Sequence, residues 1–429
     1  MPRKALLGFD RFENVDSALK KLLSSVKLSV GSELVNISEA IGRVAAEDVL
    51  APYDYPPFNR AAVDGFAVRS EDTSGASPSN PVMLRKSSMV IEASEQLAKL
   101  PTLKEGEAIL TFTGAPLPYG ANAVVPVENV VIEKDVVYVL RSVPPLGNVS
   151  RAGEDFKKGE ILVRAGTKLR PWHIAALAQA NIPRVKVFRR FRVGIVSTGS
   201  ELSEVGSGGY IVDSTSFMAS SYVAELGGEP IRLGIVPDDV NAIREAVANA
   251  LKVSDVVVVT GGSSVGGKDL VPEAIYGLGD SKLLFHGVNL RPGRTAGAFV
   301  VKGKLVLMLS GLPVACLVGL EVFLRPLVEK SLGIPEELRP RIKGVLTRRI
   351  ANAVGFRSFF RVVVFKGKDG RIYVEPLRLT GSGIVSTLLK GNGILIISED
   401  VEGFDEGTEV EVELINPLYR ERPAFLRWV

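Results

Sequence analysis

Cysteine and histidine are nearly absent from this sequence. Its 429 residues include one cysteine, Cys316, and two histidines, His173 and His286. A single cysteine excludes an internal disulfide framework, and this favours an intracellular protein. Two histidines leave little room for a zinc cluster or a Ser-His-Asp triad, so we interpret them as packing or surface residues and Cys316 as a small buried hydrophobe. A metal ion in this chain would need oxygen ligands, and this indicates magnesium.

A strong net charge and a long uninterrupted apolar segment are also missing. The formal charge is +4, and no Lys/Arg run alternates with aromatic residues, so nothing supports nucleic-acid binding. The first ten residues, MPRKALLGFD, lack the apolar core of a signal peptide. The most apolar stretch, residues 305–324, has the length of a membrane span, but Ser310-Gly-Leu-Pro313 interrupts it. We therefore expect a strand, a turn and a buried helix there, in a cytoplasmic protein that contacts neither membrane nor nucleic acid.

The length of the chain predicts two to four domains. Residues 81–140 and the segment after 356 are rich in short β-like runs, and the last of these, TEVEVELI, alternates apolar and acidic residues as in a strand with one buried face. Helices are expected after Asn14 or Asp16, after Ser38 over SEAIGRVAAEDVL, and over residues 171–181. The Pro-rich residues 52–57 predict a rigid extended loop, and 335–340 a linker.

The segment from Val193 to Asp269 predicts a βαβαβ unit. It begins and ends with short β-branched runs, VGIVSTGSEL and DVVVVTGGSSVGGKDL, which are typical of strands buried on both faces. Between them we expect a helix (215–226), a strand (230–236) and a second helix (239–252). The loops at the carboxyl ends of parallel strands form the ligand crevice of such sheets. A carboxylate follows each run, Glu201 after the first and Asp269 after the second.

The glycine-rich stretch 260–269 has the spacing of a Walker A motif, with Gly262, Gly267 and Lys268. Asp269 occupies the position of the hydroxyl residue that binds magnesium in a true P-loop, and this argues against an ATPase site. The loop is equally consistent with a backbone cradle for phosphate and with an ordinary tight turn. The Arg291-Pro-Gly-Arg294 turn is likewise consistent with a bidentate anion clamp and with a solvated turn.

Single acidic residues in loops usually form turns or caps. Their interest here is collective, because a site for a hard cation needs several oxygen ligands that come together in space. Five carboxylates lie in turns rich in Gly, Ser or Pro: Asp64, Asp155, Glu201, Asp238 and Asp269.

Seven segments of the chain, in order, resemble the signature blocks of the MoeA-type molybdopterin molybdenumtransferases, which include the gephyrin E domain. The resemblance implies an α/β plus β fold in an elongated four-domain protomer, usually a homodimer, with a three-layer α/β domain similar to MogA and MoaB and a small C-terminal β-barrel-like domain. The matching segments are PPFNRAAVDGFAV (56–68), TFTGAPLPYGANAVVPVE (111–128), RAGEDFKKGEIL (151–162), VGIVSTGSEL (193–202), VVTGGSSVGGKD (258–269), RPGR (291–294) and GSGIVSTL (381–388).

The resemblance also implies domain boundaries, which we state as expectations. They are a small linking domain (29–50 and 156–188), a β-rich lobe (51–155), an α/β molybdopterin-binding domain (10–28 and 189–334) and a C-terminal β domain (335–429).

The reaction implied by the resemblance inserts molybdate, or tungstate, into adenylylated molybdopterin with Mg²⁺ and releases AMP. It implies homodimer formation and transient contact with a molybdopterin adenylyltransferase. Asp64 and Asp155 are expected near the molybdate and pterin end, across the dimer from the α/β domain. The implied catalytic residues are Asp64, Asp155 and Asp238, the metal ligands Glu201 and Asp269, and the binding residues Thr113, Thr198, Gly199, Gly261, Gly262, Ser263, Ser264, Gly266, Arg291, Arg294 and Ser386.

Two departures from the family pattern affect the expected molybdate and phosphate region. The family's GLPG-x-PVS is replaced by residues 311–318, GLPVACLV, and a basic residue common four positions before Arg291 is replaced by Gly287. Two other functions stay open. An adenylyltransferase that makes the adenylylated pterin would consume ATP and produce pyrophosphate, and a non-catalytic pterin-binding scaffold would bind pterin without metal insertion or AMP release.

Overall fold

The parallel sheet that the sequence predicts forms the centre of the structure. The protein is represented by a computed structural model that describes residues 12–262, 270–335, 339–377 and 381–428. The first four of the six strands are parallel, and the last two are antiparallel additions. In sheet order they are Glu229–Val236, Arg192–Thr198, Val256–Thr260, Lys304–Leu309, Gly297–Val301 and Ser281–His286.

Helices cover both faces of this central sheet, which explains why every residue of the strand Val256–Thr260 is buried. The predicted βαβαβ unit is confirmed, with helix starts at Ser214 and Val240, and the Asp239 side chain caps the second helix. One face packs against Val15–Ser25, Ser214–Glu225, Pro313–Gly319 and Arg325–Leu332, and the other against Val240–Val253 and Leu270–Tyr276.

The strand–turn–helix reading of residues 305–324 is also confirmed. A helix begins at Pro313 and continues through a π-helical turn, Leu320–Leu324, in which the Arg325 N–H donates to the Leu320 carbonyl. Pro326 explains this wider turn, because proline lacks an N–H and its ring would clash with the carbonyl four residues earlier in a regular α-helix. Within the described part of the chain, no helix is long and apolar enough to cross a membrane.

A second six-stranded sheet, the lobe sheet, occupies the N-terminal half, as the β-like sequence of residues 81–140 predicts. Small two-stranded pairs and the helix Pro171–Gln179 lie beside it. The lobe strands, in sheet order, are Ala123–Pro126, Gly65–Val68, Glu107–Thr111, Val82–Ile91, Val136–Val139 and Val130–Glu133. The small pairs are Ser32–Asn36 with Arg184–Phe188, Val49–Leu50 with Ile161–Val163, and Arg60–Ala61 with Val149–Ser150.

The prediction of a helix after Ser38 is wrong. Only a 3₁₀ turn, Ile37–Glu39, forms there. Gly42 then adopts φ +74°, and the chain continues in extended pairings, such as the bridges of Val44 to Lys168 and of Ala45 to Val187. Val44 and Ala45 are buried, so pairing with distant segments overrides the local helical pattern.

The C-terminal region contains a closed five-stranded barrel. The strand Arg357–Lys366 pairs with both ends of the row and closes it, and the short strand Leu290–Arg291 adds a parallel neighbour to the same strand. In Glu409–Leu414, Val410 and Val412 face the core, as the alternating sequence predicts. The barrel strands in order are Arg357–Lys366, Ile372–Pro376, Arg341–Leu346, Glu409–Leu414 and Gly393–Ile397.

The remaining described elements are short. The expected domain boundaries stay a prediction. These elements are the strand pairs Ile350–Ala351 with Gly403–Phe404 and Leu202–Ser203 with Ile211–Val212, the helix Ser386–Lys390, and the 3₁₀ helices Ser70–Thr73, Leu97–Lys99, Val127–Asn129 and Ala424–Trp428.

An ion pair joins the barrel to the first helix. Both terminal nitrogens of Arg357 donate to the Asp16 carboxylate at 2.8 Å, and Arg357 also contacts Glu399 at 3.1 Å. The hydrogen bonds from Arg357 lower the pKa of Asp16 below its usual range. The contact therefore links the α/β unit and the barrel electrostatically.

We expect Asp16→Asn to destabilise the protein fully above about pH 4 and progressively less as pH falls below this value. Because the pKa of Asp16 is lower in the folded state, its contribution is fully present above the unfolded pKa of about 3.9 and is lost as pH falls through the folded pKa. The Asp16 side chain is 69% exposed, so solvent screening limits the effect to about 1 kcal/mol or less. Urea midpoints of both proteins at a series of pH values test this, with Asp400→Asn, in an exposed turn, as control. A difference that persists unchanged at pH 2 would contradict the assignment.

Candidate functional site

A cleft of roughly 1650 Å³ lies at the carboxyl edge of the parallel strands, between the central sheet and the barrel. The sheet contributes the loops that follow its four parallel strands, and the barrel contributes residues such as Ser358, Phe360 and Arg361. This position agrees with the general location of ligands in open α/β sheets. The cleft is therefore the candidate functional site.

Three closely packed loops form its floor. Gly261, at φ +94°, donates its N–H to the Leu309 carbonyl, and a Cβ added to it would overlap the Thr198 carbonyl oxygen. The Thr215 hydroxyl donates to the Gly311 carbonyl at 2.6 Å and holds the third loop. Thr198, Gly199, Gly261 and Gly262, four of the expected binding residues, all line the cleft. Close approach of these backbones requires glycine at position 261.

Glu201 and Asp238 lie at the ends of two neighbouring strands and both line the cleft. Asp238 is held by a reciprocal pair of hydrogen bonds: its carboxylate accepts from the Ser200 N–H at 3.2 Å, and its own N–H donates to the Ser200 hydroxyl at 3.0 Å. The Glu201 carboxylate folds back close to Gly199. In the described residues no three side chains of metal-binding type form a group. Mg²⁺ usually takes only one or two protein carboxylates together with substrate phosphates and water, so this finding is compatible with the expected role of Glu201 as a metal ligand.

Arginines supply the positive charge of the cleft. Arg291 and Arg294 are exposed and line it, and the backbone of Arg291 pairs with Ser358 of the barrel. This pairing fixes where the turn 291–294 meets the cleft. The expected anion clamp therefore lies at the cleft, and its binding of an anion stays a prediction.

Arg361 is a cleft residue that the sequence reasoning missed. It is only 5% exposed, and it donates to the Phe359 carbonyl at 2.9 Å and to the Thr387 hydroxyl at 3.2 Å. No carboxylate among the described residues pairs with it, and burial lowers its pKa. A buried cation without a counterion is costly and suits a site that receives an anion. A signal was available in the lone charge within the apolar run FFRVVVF, residues 359–365.

Asp64 and Thr113 are brought together in the lobe, away from the described lining of the cleft. One Asp64 oxygen accepts from both the N–H and the hydroxyl of Thr113, each at 2.7 Å. The backbone hydrogen bond from Thr113 is the main reason that the pKa of Asp64 is lowered. Asp155 accepts from the Gln179 side chain at 2.8 Å, and Ser386 is exposed at the start of its helix. None of these four is among the residues that line the cleft.

Four further predicted positions, Ser263, Ser264, Gly266 and Asp269, lie outside the described residues.

The two departures from the family pattern have structural counterparts. In the segment 311–318, Leu312 and Ala315 line the cleft, whereas Val314, Cys316 and Val318 are buried. The Val314 N–H donates to the Ser382 carbonyl of the barrel at 3.0 Å. Gly287 has φ +84°, a conformation that favours glycine over a basic residue.

A three-layer α/β unit with a cleft at the carboxyl edge of its parallel strands, lined by glycines and arginines, is the arrangement of proteins that bind anionic ligands. Comparison with known families identifies it further. The MoeA N-terminal region (domain I and II) matches residues 13–180, a probable molybdopterin binding domain matches 194–330, and the MoeA C-terminal region (domain IV) matches 343–415.

Similar proteins span nearly the whole chain. A putative molybdopterin biosynthesis protein of Methanocaldococcus jannaschii is 39% identical and covers 89% of this chain and 92% of its own. The molybdopterin molybdenumtransferase of Bacillus subtilis is 33% identical over 94% of each. A crystal structure of the molybdopterin biosynthesis MoeA protein from Pyrococcus horikoshii OT3 superposes with a TM-score of 0.79 at 37% identity, covering 94% and 100%. The chain therefore belongs to the MoeA family, and with it to the transferases of molybdenum cofactor biosynthesis.

Proposed function

We propose that this protein inserts molybdate, or tungstate, into adenylylated molybdopterin and releases AMP. The observation that carries the proposal is the combination, in one cleft, of a glycine-lined floor, three arginines and three carboxylates in a MoeA-family chain. A pyrophosphate link needs cationic or N–H donor groups at both phosphates, and a metal oxyanion needs a further cationic group. The cleft of the single chain has groups for both.

The chain's own groups divide the task. Arg291 and Arg294 bind the pyrophosphate beside the Gly261 turn, and the buried guanidinium of Arg361 binds the molybdate or tungstate oxyanion. Asp238 orients the water that attacks the link. Glu201, together with Asp269, would hold Mg²⁺, which neutralises phosphate charge and polarises the leaving oxygen when bound.

The second proposal is a homodimer in which Asp64, Thr113 and Asp155 serve the cleft of the other copy. The support is geometric, because these residues lie outside the cleft of their own chain. In a dimer with two-fold symmetry, the lobe of each copy can face the cleft of the other copy, so that two equivalent sites form. A cytoplasmic location and transient contact with an adenylyltransferase that delivers the substrate belong to the same proposal.

A pterin-binding scaffold without turnover is the second candidate, and the altered 311–318 loop favours it. The family's Gly, Pro and Ser are replaced by Val314, Cys316 and Val318, which are buried behind the cleft residues Leu312 and Ala315 and add bulk to this loop. Incubation of the native chain with adenylylated molybdopterin, Mg²⁺ and either molybdate or tungstate decides the matter. AMP release supports the transferase, whereas pterin binding without AMP release supports the scaffold.

We expect Asp64→Asn to lower AMP release by about 100-fold or more, because positioned proton-transfer groups contribute at least that much. Asn keeps the shape of the side chain and can still accept from Thr113, but it loses the charge. AMP is measured by chromatography at saturating substrate. The matched control is Asp369→Asn, another exposed carboxylate, which accepts from the Tyr373 hydroxyl at 2.7 Å, far along the chain in the barrel. Equal activity of Asp64→Asn and the native chain would remove Asp64 from the site.

A further inference from the structure

A chain of buried polar side chains lies beneath the cleft floor, among residues that neither the sequence nor the resemblance singled out. Ser197, Asp213 and Thr260 are 0%, 3% and 2% exposed. Asp213 and Thr260 also line the cleft, whereas Ser197 lies between them. The three residues come from the ends of two parallel strands and from the cap of a helix.

The hydrogen bonds in this chain have a defined direction. The Ser197 hydroxyl has a single proton, and it donates this proton to Asp213 Oδ2 at 2.6 Å. Ser197 and Thr260 are 3.2 Å apart, and Ser197 has no second proton to give. Thr260 must therefore donate to Ser197. The oxygen of Thr260 is left with lone pairs only.

The other oxygen of Asp213 is committed elsewhere. Asp213 Oδ1 accepts from the Ser216 N–H at 3.0 Å and caps the helix Ser214–Glu225. No cation of the described residues pairs with Asp213. An asparagine would cap this helix about as well, so the cap alone does not account for a buried charge here.

We propose that Asp213 and Ser197 are positioning residues that fix the Thr260 hydroxyl as a hydrogen-bond acceptor for an N–H or O–H group of the pterin nucleotide. The inference rests on the proposed function for the identity of that ligand. Thr260 is then a specificity-determining residue. It discriminates against ligands that present a lone pair at this point.

Asp213→Asn reverses the direction of the chain while keeping its atoms. The Asn oxygen must face the Ser216 N–H, so its NH₂ group faces Ser197 and donates to it. Ser197 then donates to Thr260, and the Thr260 proton points away from Ser197. The Thr260 O–H group then faces the N–H or O–H group of the ligand, and two hydrogen-bond donors oppose each other.

The experiment compares KM for adenylylated molybdopterin in Asp213→Asn, Thr260→Val, the double variant and Thr260→Ser. The two single variants are expected to raise KM about tenfold, because a lost or opposed hydrogen bond costs roughly that much. The double variant should be no worse than Thr260→Val, since both changes act at one atom, and Thr260→Ser should behave as the native chain. Thermal unfolding midpoints check that every variant is folded.

Additive effects in the double variant, or a normal KM in Asp213→Asn, would overturn the proposal. Neutron diffraction of the deuterated native protein provides a test independent of turnover: the Thr260 deuterium should point at Ser197, and a deuterium directed at the cleft would also overturn it. A native chain that shows this deuterium position but binds no adenylylated molybdopterin would instead contradict the proposed function.

Discussion

Arg361→Ala is expected to lower AMP release by about 100- to 1000-fold, the usual cost of removing one preorganised donor to a developing or bound anion. The native guanidinium is buried, lines the cleft and has only neutral partners, the Phe359 carbonyl and the Thr387 hydroxyl. Its charge is therefore screened by neither water nor a carboxylate of the described residues. In the proposed function, removing this guanidinium deprives the oxyanion of a cationic ligand that is shielded from water.

The measurement is initial AMP release as a function of molybdate concentration. Arg361→Lys should recover only part of the activity, because an ammonium lacks the planar fork of donors. Arg341→Ala is the matched control, since Arg341 lies on the same barrel but is exposed and paired with Glu413 at 2.8 Å. Arg361→Ala with normal molybdate dependence would show that the cleft receives its oxyanion elsewhere.

Gly261→Ala is expected to destabilise the protein by about 2–4 kcal/mol, as the sum of an unfavourable φ and a steric overlap, and to abolish turnover. The added methyl group would meet the Thr198 carbonyl oxygen, which belongs to a neighbouring strand of the sheet and has little room to move. Separation of the two strand ends would also displace the glycine turn beside which, in the proposed function, the pyrophosphate binds.

A matched control isolates the steric part of this effect. Gly279 has φ +66°, and a Cβ there meets nothing within 4 Å, so Gly279→Ala carries the conformational cost of about 1 kcal/mol alone. Urea unfolding and AMP release of both variants measure the difference. Equal losses of stability in the two variants would show that the floor loops tolerate a wider spacing.

The sequence predicted the parts of the fold that are dictated locally. Strands such as Val256–Thr260 combine β-branched residues with abrupt glycine-rich ends, and only a doubly covered sheet buries such a run. The helix prediction for the segment after Ser38 was wrong, because alanine and valine residues of this segment pair with residues more than 100 positions away, such as Val187. Helical spacing contains no information about such partners.

The site was predictable only in part, for a similar reason. Glycines, arginines and carboxylates in loops signal candidate positions, and Glu201 and Asp238 do reach one cleft. The pairing of Asp64 with Thr113, and the direction of the hydrogen bonds from Thr260 to Asp213, depend on distances between strands. Arg361 was missed because its neighbours in the sequence are those of an ordinary buried strand.

The short strand Leu290–Arg291 has a mechanical consequence. Its backbone belongs to the barrel ladder, while Val288, two residues before the strand, is part of the core of the α/β unit. A rigid-body rotation of the barrel away from the central sheet would have to break this ladder or displace Arg291 from the cleft. We therefore expect AMP, the product in the proposed function, to leave after side chains rearrange at the rim of the cleft. The central sheet and the barrel would keep their relative positions.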